Sequence, residues 1–212
     1  MNTIIVGDFM YKKIVLNYSS LEPYIDDKTL NLHFLKHYQK YLDNLNELLN
    51  DNNYDYQYDL KELVNNISLF DEKVRGNILY NDGGVLNHEL YFSILNVDGK
   101  KEPDGALRQA IIEKYGSYNN FVSEFMKSAN QLRGSGFTYL VLNNGELDII
   151  NLSNQETPYM YGMIPLIALD MWEHAYYLKY QNNKEQYIKN FFSIIDFNVI
   201  EDIYEKESKT FK

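Results

Sequence analysis

Four histidines and one aspartate are the residues on which metal chemistry could be built in this chain. The histidines are His33, His37, His88 and His174. His33 and His37 stand four apart, as do Asp170 and His174, so on a helix each pair shares one face. Two such segments plus His88 supply a set of imidazole and carboxylate donors that can hold a metal. The chain has no cysteine. Disulfides, thiolate sites and cysteine nucleophiles are therefore excluded, and a transition metal must be held by imidazole and carboxylate. Spacing alone leaves open a chance surface or core pairing. A helical di-metal carboxylate centre is set aside, because it needs Glu three residues before a histidine on paired helices. Neither His88 nor His174 has one.

A length of 212 residues suits one large domain or two small ones and can bury a real core without staples. The net charge of −10 argues against a nucleic-acid binder, which would carry a basic face. Its plain effect is solubility. No run of about 18 apolar residues occurs, so no membrane span is expected. The start, MNTIIVGDFMYKKIVLNY, lacks a basic n-region and a long apolar h-region. The expectation is a cytoplasmic protein without a secretory signal, with association with a coat or surface layer left open.

The elements that must position these residues can be read in outline. Residues 1–18 read as an irregular or extended arm. Asp26 and Asp27 precede a helical pattern at 30–50 carried by Leu32, Leu35, Leu42, Leu45, Leu48 and Leu49, in the place of N-caps. After a polar stretch, a second helix runs through Leu60, Leu63, Val64 and Ile67. A third begins near Gly76, and its Gly83-Gly84 pair is expected to bend or interrupt it. Residues 96–104 (NVDGKKEPD) form the best domain boundary. They separate an N-terminal arm and helical hairpin domain (1–96) from a C-terminal α+β domain (104–212). There, 106–115 and 118–131 read as helices. Residues 137–143 and 146–152 read as strands joined by an Asn144-Gly145 hairpin turn, and 164–170 as a third strand. Residues 172–180 and 184–207 read as helical. The fold class is thus α+β, with a small antiparallel sheet flanked by helices.

The segments LNLHFLKHYQKYLDNLNELL, NHELYF, GSGFTYLVL, SNQETP and DMWEHAYYLKY resemble the iron/manganese superoxide dismutase family in order and spacing, over roughly residues 14–205. The D-x-W-E-H-A-Y-Y run at 170–177 is the most specific of them. The resemblance implies metal ligands at His33, His88, Asp170 and His174. It implies a gateway tyrosine at Tyr41, a non-ligand interface histidine at His37, and residues that cross a dimer interface at Glu173 and Tyr177. Gly84, four residues before His88, and Gln155, following Asn154, match the pattern of manganese members, so manganese is expected over iron, one ion per subunit. The chain departs from the family with Phe137 and Phe92 where members usually carry Trp, a shorter loop at 17–23, and an extra arm at 1–12.

The implied activity is conversion of superoxide to oxygen and hydrogen peroxide, in a homodimer or homotetramer. The alternative is a weakly active or inactive member with a structural role in a coat or surface layer. Superoxide is an anion and the molecule is acidic, so capture needs a locally positive mouth. Lys36 and Lys184 are the candidates for it.

Overall fold

The computed structural model describes residues 10–211, so most of the expected arm at 1–12 lies outside the described residues. Residues 10–20 have no regular structure, yet they are tied down. The Tyr11 backbone exchanges hydrogen bonds with the Asn46 amide at 3.1 and 3.0 Å. The Tyr11 hydroxyl donates to the Tyr58 carbonyl, and Ile14 N donates to the Tyr38 hydroxyl.

Asp26 caps α1 (Asp27–Leu32), its carboxylate accepting from Thr29 N at 2.8 Å. The chain does not continue as a uniform α-helix. Residues His33–Tyr38 form a π-helical segment before α2 (Gln39–Asp51) resumes. Its i→i+5 bonding widens the turn, so His33 and His37 no longer sit squarely above one another. His33 is buried and His37 is exposed. Helix α3 (Leu60–Asn65) starts on a capping box of Asp59 and Glu62. Helix α4 (Glu72–Ser93) starts at its Asp71 cap, before Gly76, and runs unbroken through Gly83-Gly84. The expected interruption is absent because the two glycines serve close packing. An added Cβ would stand 2.0 Å from the Gln155 carbonyl oxygen at Gly83 and 2.6 Å from the Tyr41 ring at Gly84.

The second half opens with α5 (Ala106–Tyr115) and α6 (Tyr118–Gln131). Strands β1 (Gly136–Asn143), β2 (Glu146–Ser153) and β3 (Ile164–Asp170) form an antiparallel sheet in the order β2-β1-β3. Asn144 and Gly145 both have positive φ, 50° and 86°, as the mirror-image hairpin turn requires. After β3 the expected helix at 172–180 is replaced by a 3₁₀ turn at Glu173–Ala175 and the short α7 (Tyr177–Tyr180). The expected helix at 184–207 is two, α8 (Lys184–Phe191) and α9 (Phe197–Glu207). The break has a tertiary cause. Asn96 N donates to the Ile194 carbonyl and Asp196 N to the Ile94 carbonyl, so the linker and the end of α4 take the bonds that a continuous helix would use.

The architecture is therefore an N-terminal helical hairpin followed by an α+β half. One apolar cluster runs through both, from Leu42, Leu45 and Val85 to Leu140, Ile167 and Ile195. Among the described residues no helix is long and apolar enough to cross a membrane.

Candidate metal centre

Four separate elements deliver the expected ligands to one point. His33 comes from the π-helical segment, His88 from α4, Asp170 from the last position of β3 and His174 from the following 3₁₀ turn. Their candidate ligand atoms all lie within 4.8 Å of one another. Asp170 Oδ2 is the hub, 3.0 Å from His33 Nε2, 3.1 Å from His174 Nε2 and 3.7 Å from His88 Nε2. The outer groups are oriented too. His88 Nδ1 lies 2.6 Å from the Gly84 carbonyl. A carbonyl only accepts, so Nδ1 carries the hydrogen and Nε2 turns its lone pair to the site. Trp172 N donates to Asp170 Oδ1 at 2.8 Å, which leaves Oδ2 for the histidines. The Tyr187 hydroxyl donates to the Asp170 backbone carbonyl.

The protonation states favour metal binding. Burial, then the neighbouring His174, pushes His33 down to about 4. Burial, then His33, holds His88 well below its ordinary value. Burial opposes ionisation of Asp170, but the charge and hydrogen bond of His174, with the close approach of His33, outweigh it and hold the carboxyl well below the usual carboxylate range. The centre thus sets two neutral imidazoles against an ionised carboxylate, the state in which these groups are ligands. The Nε2 atoms of His33 and His88 are buried without any hydrogen-bond partner, although His33 approaches Asp170 closely. Two buried imidazole nitrogens facing one carboxylate fit a cation, and an imidazole-carboxylate set suits manganese or iron.

The remaining predicted residues take several places around the centre. Tyr41 and Gln155 meet at the centre. Gln155 is fully buried, not a solvent-facing turn residue, and its Nε2 donates to Tyr41 Oη at 3.0 Å. The Tyr41 ring lies 5.2 Å from that of His88. His37 stays out of the ligand cluster and stacks on His174 at 4.2 Å. Glu173 and Tyr177 are exposed on the adjoining turn and helix. Lys36 is exposed, whereas the Lys184 ammonium donates to the carbonyls of Asn130 and Leu132 at 2.9 and 3.3 Å. Phe92 and Phe137, both buried, wall the site at 4.9 Å from His33 and 5.8 Å from His88.

Sequence reasoning missed Asn87 and Tyr80. Asn87 Nδ2 donates to the carbonyls of Gln155 and Glu156 at 3.3 and 3.2 Å and fixes the loop that carries Gln155. The Tyr80 ring packs edge-on against Tyr41 at 5.9 Å. One signal for Tyr80 was present, its position four residues before Gly84 on the same helix face.

Two family models cover most of the chain. The alpha-hairpin domain of iron/manganese superoxide dismutases matches residues 8–96, and the C-terminal domain of the same enzymes matches residues 103–203. A superoxide dismutase [Mn] of Listeria innocua serovar 6a is 38% identical over 186 residues, 88% of this chain and 92% of the relative. One of Listeria monocytogenes serovar 1/2a is 37% identical over the same shares.

Proposed function

We propose, since the chain belongs to the iron/manganese superoxide dismutase family, that it converts superoxide to oxygen and hydrogen peroxide with one manganese ion per subunit, iron being the alternative. The observation that carries this is the convergence of His33, His88, Asp170 and His174 within 4.8 Å, with two bare, buried imidazole nitrogens among them. These four residues would hold the ion. When bound, it would supply one-electron chemistry between two superoxide ions.

The chain's own groups set the conditions for that exchange. Ionised Asp170 offsets part of the cation's charge in a site where unbalanced charge is costly. Phe92 and Phe137 limit water around the ligands. Gln155 donates to Tyr41, so the Tyr41 hydroxyl hydrogen is free to be offered toward the site. Tyr41 is thereby placed to deliver the protons that hydrogen peroxide requires. No observation favours the structural role in a coat. A cytoplasmic location belongs to this reading, and recovery of the protein with the cell envelope on fractionation would count against it.

The manganese preference rests on Gly84 and Gln155. A buried amide donor beside the ion would tune the metal's reduction potential, so donor and metal must be matched. Apoprotein reconstituted separately with each metal should show higher activity per bound ion with manganese. Higher specific activity with iron refutes the preference, and inactivity with both refutes the dismutase reading.

A further inference from the structure

Gln155 lies in the loop after β2, yet it is fully buried and its Nε2 reaches Tyr41 Oη at 3.0 Å. The backbone carbonyls on either side of it are each taken by an aromatic side chain of the C-terminal half. Trp172 Nε1 donates to the Asn154 carbonyl at 3.1 Å, and the Tyr139 hydroxyl, from the middle of β1, donates to the Glu156 carbonyl at 3.1 Å. Trp172 also stacks on His174 at 5.6 Å, so a change there reaches a proposed ligand directly. Tyr139 is different. It is fully buried, and its ring packs on Phe137 at 5.9 Å in an apolar layer with Val141 and Ala168. A phenylalanine would fill that layer equally well and carry no polar atom into it, whereas a buried hydroxyl is costly unless it is bonded. The hydroxyl is therefore accounted for by its bond to Glu156, not by packing. On the opposite side, Gly83 lets α4 come so close that a Cβ there would stand 2.0 Å from the Gln155 carbonyl oxygen. The loop has no room to shift toward α4.

We propose that Tyr139 is a positioning residue for Gln155: its hydroxyl ties the Glu156 carbonyl to the sheet and so sets where the Gln155 amide stands beside Tyr41. The inference rests on the dismutase reading, in which that amide matches the protein to manganese. The sheet is a suitable reference. Strand β1 pairs with β3 in a register that sets Phe137 opposite Asp170, so one rigid element carries both a proposed ligand and the anchor of the amide. Without the Tyr139 hydroxyl the Glu156 carbonyl is released from the sheet, and the amide loses its fixed distance from the centre. The preference between metals should then suffer before metal binding does, because the four ligands are delivered by other residues.

The test is Tyr139→Phe, which keeps the ring and removes only the hydroxyl, with Tyr118→Phe as its control. Tyr118, at the start of α6, also donates its hydroxyl to a backbone carbonyl, that of Lys101 at 2.8 Å, but not in the Gln155 loop. Each variant should keep its metal and melt lower by on the order of 2–4 °C for the one bond lost. In zinc-loaded protein the side-chain ¹⁵Nε2 resonance of Gln155, assigned with Gln155→Ala, should move in Tyr139→Phe and stay in Tyr118→Phe. The ratio of manganese-supported to iron-supported activity per bound ion should fall about 2- to 10-fold in Tyr139→Phe, the range one hydrogen bond commands, and hold in Tyr118→Phe. Tyr161 gives a second variant that spares the core, since it is 53% exposed and its hydroxyl donates to Glu156 Oε1 at 3.0 Å. Tyr161→Phe should move the same resonance by a smaller amount, and it decides the matter if Tyr139→Phe does not fold. An unmoved Gln155 resonance, an unchanged metal ratio, or equal changes in Tyr118→Phe overturns the positioning role and leaves the dismutase reading intact. Wild-type protein inactive with both metals overturns both.

Discussion

At the scale of single residues, the centre is a set of groups that are costly to bury until something binds between them. An unpartnered buried polar atom costs about 1–3 kcal/mol, and His33 Nε2 and His88 Nε2 are two of them. Removing one ligand lowers that cost but leaves the remaining donors unable to complete the set. His88→Ala should therefore abolish metal binding. His37 stacks on His174 without joining the cluster, so His37→Ala should leave the metal bound. Metal analysis of the two variants after dialysis decides this, and the reverse pattern would sink the ligand assignment. The ligands were legible in the sequence because of their company, the D-x-W-E-H-A-Y-Y run above all. Spacing alone did not single them out. Asn87 was not legible, since its bonds to the Gln155 and Glu156 carbonyls cross from α4 to a loop distant in sequence.

Elements show where local propensity ruled and where packing overrode it. Strands β1 and β2 were readable because Asn144-Gly145 can adopt the two positive φ values the turn needs. The 184–207 segment misled because its apolar residues keep a helical rhythm past the point where cross-linking hydrogen bonds at Ile194 and Asp196 break the helix. Gly83-Gly84 misled for a related reason. Their value lies in contacts with Gln155 and Tyr41, and no local rule reports those. This yields a graded prediction along α4. At Gly76 an added Cβ meets nothing within 4 Å, so Gly76→Ala should stabilise by ~0.5–1 kcal/mol through helix propensity. Gly84→Ala strikes the Tyr41 ring and Gly83→Ala the Gln155 backbone. Overpacking of this kind costs about 1–3 kcal/mol, and each kcal/mol lowers the melting temperature by on the order of 2–4 °C at this chain length. Gly83→Ala should be the worse of the two, because a backbone carbonyl cannot step aside as a ring can. Calorimetry on the three variants checks the order, and a Gly83→Ala protein as stable as Gly76→Ala would show that the close approach is not needed.

For the molecule as a whole, the acid surface and the exposed flank of the site pose two linked problems. The net charge is −10 while the substrate is an anion, so local positive charge must direct capture. Lys36 is exposed beside His37, whereas Lys184 is held by two carbonyls at the end of α6. Screening blunts exposed charge beyond about 8 Å at physiological salt. Lys36→Gln should therefore slow capture at low ionic strength more than at high. Lys184→Gln should also lower the melting temperature and lose rate at every ionic strength. Stopped-flow measurements across a salt series separate the two, and a salt-independent loss in Lys36→Gln would remove it from steering. The second problem is the flank itself. Helix α1 packs beside the 3₁₀ turn that carries Glu173, and Leu32 on α1, Leu35 on the π-helical segment and Tyr177 and Leu178 on α7 are all exposed. Exposed apolar side chains grouped beside a metal centre fit an interface better than open water. A two-fold contact here would present the same face of each copy to the other, the arrangement that the family resemblance implies for Glu173 and Tyr177. Sedimentation at micromolar concentration should then give at least twice the 25.1 kDa chain mass. Tyr177→Arg, which puts a charge into that contact, should shift the protein toward monomer and lower activity with it. A wild-type monomer with full activity would rule the interface out.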